Sequence, residues 1–97
     1  MEFEWDEDKR QAVLIERDVD FARAARIFEG PVIRVVDNRR DYGETRYISL
    51  GMVGDEAFYV IHTNRGGVTR VITAWRGGEH GKREYQASVA GRPQADG

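Results

Sequence analysis

The chain has 97 residues, 40% hydrophobic and 33% charged, with a formal net charge of -2, no cysteine and two histidines, His62 and His80. This length suits one domain with a modest core; absent thiols exclude a disulfide framework and cysteine catalysis, and two histidines are too few for a convincing zinc site. No apolar run approaches the roughly 18–20 residues that cross a bilayer, and the acidic start MEFEWDED is unlike a signal peptide, so a cytoplasmic protein without membrane contact is expected.

Two helices are predicted first. Asp6 is a suitable N-cap for residues 7 to 17, with Glu7 and Asp8 in the first turn, although Ala12, Val13, Leu14 and Ile15 form a run instead of a stripe. Asp20 is the natural cap of the second, in which Phe21, Ala24, Ala25 and Phe28 follow the i, i+3, i+4, i+7 pattern, and Gly30-Pro31 ends it. After Pro31 the period changes. Val32 to Val36 and Thr45 to Met52 read as strands separated by the polar stretch Asp37 to Gly43, and Gly54-Asp55 turns the chain. Phe58 to Thr63 and Val68 to Trp75 are two more strands, joined at Asn64-Arg65-Gly66-Gly67. A short C-terminal helix from Glu79 to about Val89 precedes a frayed polar tail over residues 91–97, which leaves residues 1–90 as one domain. The expected architecture is α+β: two N-terminal helices, a mostly antiparallel four-stranded sheet with helices on one face, and a short C-terminal helix.

The charges are unevenly spread. Glu2, Glu4, Asp6, Glu7 and Asp8 crowd the start, whereas Arg65, Arg70, Arg76, Lys82 and Arg83 gather between His62 and Tyr85. Arginine suits bidentate contact with phosphate or carboxylate. For an even-numbered hairpin loop, parity assigns Tyr59, Ile61, Thr63, Arg70, Ile72, Ala74 and Arg76 to one face, and Phe58, Val60, His62, Val71, Thr73 and Trp75 to the other. The second set is the better packing face. An open face with arginines, a tyrosine and threonines suits a phosphodiester chain, and equally a solvated surface or an acidic protein partner.

Four stretches in order, FEWD (Phe3 to Asp6), DFARAARIFEGP (Asp20 to Pro31), DNRRDYGETR (Asp37 to Arg46) and HTNRGGVTRVITAWR (His62 to Arg76), together resemble the BrnT family of bacterial toxins. The resemblance covers about residues 3 to 76, with a weaker extension to Tyr85. It implies a RelE-like fold, a ribonuclease that arrests translation, and a BrnA-like ribbon-helix-helix antitoxin through which alone the complex would contact DNA. The sequence departs from the family where Trp75 replaces a basic residue and where Gly81 stands in place of a glutamate, with Glu79 displaced.

A metal-independent ribonuclease must neutralise a phosphate and move two protons. The expected catalytic residues are Glu44 or His62 as base, Arg65 and Arg76 at the scissile phosphate, and Tyr85 as proton donor or stacking group. Arg46, Arg70, Lys82 and Arg83 are the expected RNA-binding residues, with no cofactor and no metal. Two other functions remain open: a catalytically decayed homologue that acts as a protein-interaction module in an autoregulating complex, and a DNA-binding regulator. The net charge of -2 argues against the latter.

Overall fold

In the computed structural model of the chain, which describes residues 1–90, the first strand, β1, is Phe3–Trp5. Asp6 then opens helix α1 (Glu7–Arg17), its carboxylate accepting the N–H groups of Asp8 and Lys9 at 2.9 and 3.3 Å. The helix closes on Asp18, whose left-handed backbone (φ 56°) lets its N–H reach the Leu14 carbonyl. The tail expected over residues 91–97 lies outside the described residues.

Asp20 caps helix α2 (Phe21–Ala24), but after one turn the backbone tightens into a 3-10 helix over Ala25–Glu29. A continuous helix would have put Phe28 in the core. Instead Ile27 is fully buried and Phe28 only partly so. The cause is a close approach to Gly51, where an added Cβ would stand 2.7 Å from the Ile27 Cβ. The tighter turn seats Ile27 against bare backbone.

The sheet contains β1, β2 (Ile33–Val36), β3 (Tyr47–Val53), β4 (Glu56–Arg65) and β5 (Val68–Arg76) in the order β1-β5-β4-β3-β2. It is five-stranded and mixed, so the expected four-stranded antiparallel, RelE-like arrangement with two full N-terminal helices is corrected. The added strand lies parallel to β5, pairing Phe3 with Thr69, Glu4 with Arg70 and Trp5 with Val71. Three residues are too few for alternation to signal a strand, and its partner lies 66 positions away. Phe3 and Trp5 then meet Phe28 and Phe21, with ring centroids 5.7 and 6.3 Å apart.

Parity also fails within the β4–β5 hairpin. The turn has the expected even number of residues, Gly66-Gly67, both at positive φ (59° and 84°), the conformation of a type I′ turn. The break comes further along, where Ile61 pairs with Thr73 but His62 pairs with Val71, which leaves Ile72 as the extra residue of a bulge. Beyond Ile72 every side chain of β5 changes face. Ala74 and Arg76 therefore join Val60 and Phe58 under α1 and α2, whereas Trp75 stacks on Tyr59 at 5.4 Å on the reverse face. Both were expected on the opposite sides.

Helix α3 (Gly78–Ala90) packs on that reverse face, contrary to the expectation of helices on one side only. Gly81 permits the contact: a Cβ there would meet the Tyr59 ring at 3.2 Å and Ala57 Cβ at 3.6 Å. The main core, between the sheet and α1–α2, is built from Val13, Val19, Phe21, Ile27, Phe58, Val60 and Val71, among others. No helix among the described residues is long and apolar enough to cross a membrane. Gly51→Ala is expected to destabilise the fold by about 1–3 kcal/mol, the usual range for overpacking. A urea-unfolding midpoint equal to that of the unsubstituted chain would show that Ile27 does not depend on this gap.

Candidate nucleic-acid interface

The reverse face of the sheet is covered by α3 at the Tyr59 end and left open toward the hairpin turn. Two segments of chain meet at the open end. The first is the loop between β2 and β3. Asp37, with a fully buried side chain, accepts Arg39 Nε at 2.7 Å and Nη2 at 2.9 Å, and the Tyr42 hydroxyl at 3.0 Å; its N–H donates to the Arg46 carbonyl at 2.8 Å. These contacts hold the Asp37 carboxyl well below the ordinary range, Arg39 being the largest cause. Gly43, at φ 73°, turns the chain while its N–H bonds the Asp41 carboxylate at 2.9 Å. The Arg46 guanidinium then lies 4.3 Å from the centre of the Tyr42 ring. The Thr63 hydroxyl ties the loop to β4 by donating to the Thr45 carbonyl at 2.6 Å.

The loop thus delivers Glu44 and Arg46 to the second segment, the hairpin. Arg46 Nε donates to Glu44 at 3.0 Å, and Arg65 Nη2 reaches the same carboxylate at 3.1 and 3.4 Å. The Arg46 hydrogen bond first, and Arg65 after it, lower the Glu44 pKa. Glu44 is therefore a firmly ionised carboxylate that already bridges two cations. Arg70, across from Glu4 in the β1–β5 register, is paired with it at 3.0 Å.

Arg46, Arg65 and Arg70 line one depression of about 230 Å³ together with Lys9, Asp6, Val71 and Ile72. Lys9 was not expected there. It arrives because β1, unseen in the sequence, docks the start of α1 beside β5. Asp6, which lines the same depression, is occupied with capping α1. An open recess with four cations and an adjacent carboxylate can bind a phosphodiester and offer a base to a neighbouring hydroxyl.

The other expected site residues lie elsewhere. Arg76, turned over by the bulge, forms an ion pair with Glu56 and donates to the Asp18 carbonyl at 2.8 Å. Glu56 also holds Arg23 at 2.7 Å, so Arg76 fastens the end of α1 to β4 and β5. Tyr85, on α3, donates its hydroxyl to the Pro31 carbonyl at 2.8 Å. Lys82 and Arg83 are also on α3, and neither lines the basic depression.

His62 and Arg65 are three residues apart in β4 and point to opposite faces. His62 is buried, its Nε2 2.7 Å from the Ser49 hydroxyl. Ser49 carried no sequence signal of its own, since the pairing comes from the β3–β4 register. Burial first, and the charge of Arg34 second, lower the His62 pKa from its ordinary 6.5 to about 4. Its imidazole is neutral near pH 7 and, at that pKa, a weak base. Among the described residues no group of three or more histidine, cysteine, aspartate or glutamate side chains is placed to hold a metal ion.

The depressed His62 pKa makes stability pH-dependent. The unfolded chain binds this proton more readily, so the contribution of His62 is full above about pH 6.5 and is lost as pH falls through 4. Urea unfolding should show a loss of up to about 3 kcal/mol over that window from this one group. His62→Gln is expected to flatten the slope between pH 6.5 and 4; slopes that coincide would rule out the buried neutral imidazole as the source.

Residues 5–79 match the family model described as ribonuclease toxin, BrnT, of type II toxin-antitoxin system. No curated protein matches the chain.

Proposed function

Because the chain belongs to the BrnT family of ribonuclease toxins of type II toxin–antitoxin systems, we propose that it cleaves RNA at the open end of the reverse sheet face, without a metal ion. The carrying observation is the depression shared by Lys9, Arg46, Arg65 and Arg70 beside Glu44. In the free protein the carboxylates of Glu44 and Glu4 stand where phosphate oxygens would bind their arginines. A phosphodiester competes for the same donors, since carboxylate and phosphate present similar oxygen pairs to a guanidinium.

When phosphate takes Arg65, Glu44 loses one of the two cations that depress its pKa, and its basicity rises. It then removes the proton of the ribose 2′-hydroxyl. The 2′-oxygen attacks phosphorus, the bond to the 5′-oxygen breaks, and a cyclic phosphate remains. The arginines stabilise the extra negative charge of the phosphorane, and the departing 5′-oxygen takes a proton from solvent. This reading assigns no proton transfer to Tyr85 and a bracing role to Arg76. The partner in the cytoplasm is proposed to be a BrnA-like ribbon-helix-helix antitoxin, which would supply the DNA contact of the complex.

Purified variants test this assignment. Arg65→Ala and Arg70→Ala should each slow RNA cleavage by about 10²–10³-fold, the range for losing one charge-stabilising donor. Glu44→Gln should cost about 10²–10⁴-fold. Arg76→Ala should keep the cleavage rate per folded molecule while lowering stability by about 1 kcal/mol, because its ion pairs are partly exposed. Full activity in the first three variants, with loss in Arg76→Ala, would move the site to the other end of β5.

The ion pairs that Arg65 and Arg70 already make, together with Trp75 stacked on Tyr59 where the family resemblance implies a basic residue, favour a second reading. In it the chain has lost catalysis and serves as an interaction module. Expression without its antitoxin separates the two: growth arrest with RNA cleavage supports the enzyme, and harmless expression of a folded protein supports the module.

A further inference from the structure

On the helix-side face, at the same end of the hairpin, lies a cavity of about 540 Å³ that the cleavage chemistry does not use. Its size falls within the roughly 300–1,000 Å³ of small-ligand sites. Phe28, Arg34, Tyr47, His62 and Asn64 contribute to its lining. The Phe28 ring stands edge-on to His62 at 5.0 Å, the Tyr47 ring is tilted 31° to it at 5.7 Å, and the Arg34 guanidinium lies over Tyr47 at 4.7 Å. Aromatic rings and guanidinium planes are the surfaces on which unpaired bases stack.

The polar groups of the cavity are unusually available. Arg34 has no ion-pair partner among the described residues. Asn64 accepts the Gly67 N–H at 3.2 Å through Oδ1, which leaves its amide N–H groups for a ligand. His62 is 6% exposed, and Ser49 occupies only Nε2. No fully buried side-chain nitrogen or oxygen lacks a partner among the described residues, so Nδ1 keeps some exposure on a residue that lines the cavity. The ring therefore offers a hydrogen-bonding edge beside a stacking surface and a free cation.

We propose that this cavity is a nucleobase subsite for the RNA substrate, with the base against Arg34 and Tyr47, its polar edge toward His62 and Asn64, and a phosphate on Arg34. The proposal rests on the ribonuclease reading and adds a source of sequence preference to it. Consecutive residues connect the two faces: Asn64 lines this cavity and Arg65 the basic depression. Between the strands, Gly66 and Gly67 carry no side chain, and a Cβ at either would meet nothing within 4 Å. A single strand crossing the turn can place a phosphate on one face and a neighbouring base in the cavity on the other. Because His62 is neutral at pH 7, its donor and acceptor nitrogens are distinct, which suits discrimination among bases.

Titration of the full chain with AMP, GMP, CMP and UMP, followed by amide NMR shifts, tests the cavity independently of cleavage. Shifts should centre on residues 47, 62 and 64, with one nucleotide bound most tightly, and Arg34→Gln should weaken that binding about tenfold. Cleavage sites mapped on unstructured RNA should lose base preference in Asn64→Ala and in Arg34→Gln. An active enzyme without nucleotide-induced shifts at these residues overturns the subsite and leaves the ribonuclease reading intact. Nucleotide binding in the cavity with unchanged cleavage preference in both variants also overturns it, since the cavity would then serve a free nucleotide. Binding by a chain that cuts no RNA instead counts against the ribonuclease reading.

Discussion

One extra residue in β5 governs how the hairpin is used. Ile72 has no partner across from Ile61 and His62, and the alternation of side chains reverses at that point. Arg70, before the bulge, faces the open side of the sheet with Arg65. Arg76, after it, is drawn under the helices to Glu56 and the end of α1. Without the bulge, Trp75 would point toward the core side now occupied by Phe58, Ala74 and Ala24. With it, a small residue enters the core and the indole stacks on Tyr59. The row of arginines in the sequence is thus divided between the two faces of the sheet.

A second constraint acts on the loop before β3. Burying a carboxylate is costly unless its oxygens are fully engaged, and Asp37 meets that condition with Arg39, Tyr42 and a backbone bond to Arg46. The resulting clamp gives Glu44 and Arg46 a defined position although they precede the strand. A loop held this way suits a site that needs a carboxylate and a guanidinium in register with the hairpin. The stacking of Arg46 on Tyr42 and the Thr63–Thr45 bond act in the same direction.

The charge balance follows from these placements. A net charge of -2 gives no hint of a basic recess, because the acidic residues near the start fold back onto the same end of the sheet. Glu4 covers Arg70, Asp6 caps α1, and Lys9, one turn on, joins the arginines. Arg46, Arg65 and Arg70 are thus paired with carboxylates of the same chain. On the other face, His62 remains neutral and buried against Ser49, so the basic depression and the cavity beside His62 lie on opposite sides of a single sheet.

Near-neighbour chemistry along the chain specifies the local elements and the kinds of group available. Asp6 and Asp20 as caps, the Gly66-Gly67 turn, the β-branched strands and the four ordered motifs were all legible because each depends on near neighbours in the chain. The grouping of Glu44 with Arg65 was accessible once β3 and β4 were taken as adjacent. Strand β1, the tightening after Ala24, the placement of α3 and the bulge at Ile72 arise from contacts between distant parts of the chain. A three-residue strand carries no period, Gly51 makes room for an Ile27 far from it in sequence, and a bulge shows itself only against its partner strand. Lys9, Ser49 and the position of Arg76 depend on those contacts, which is why local pattern singled out the arginines as candidates but not which of them the fold brings together.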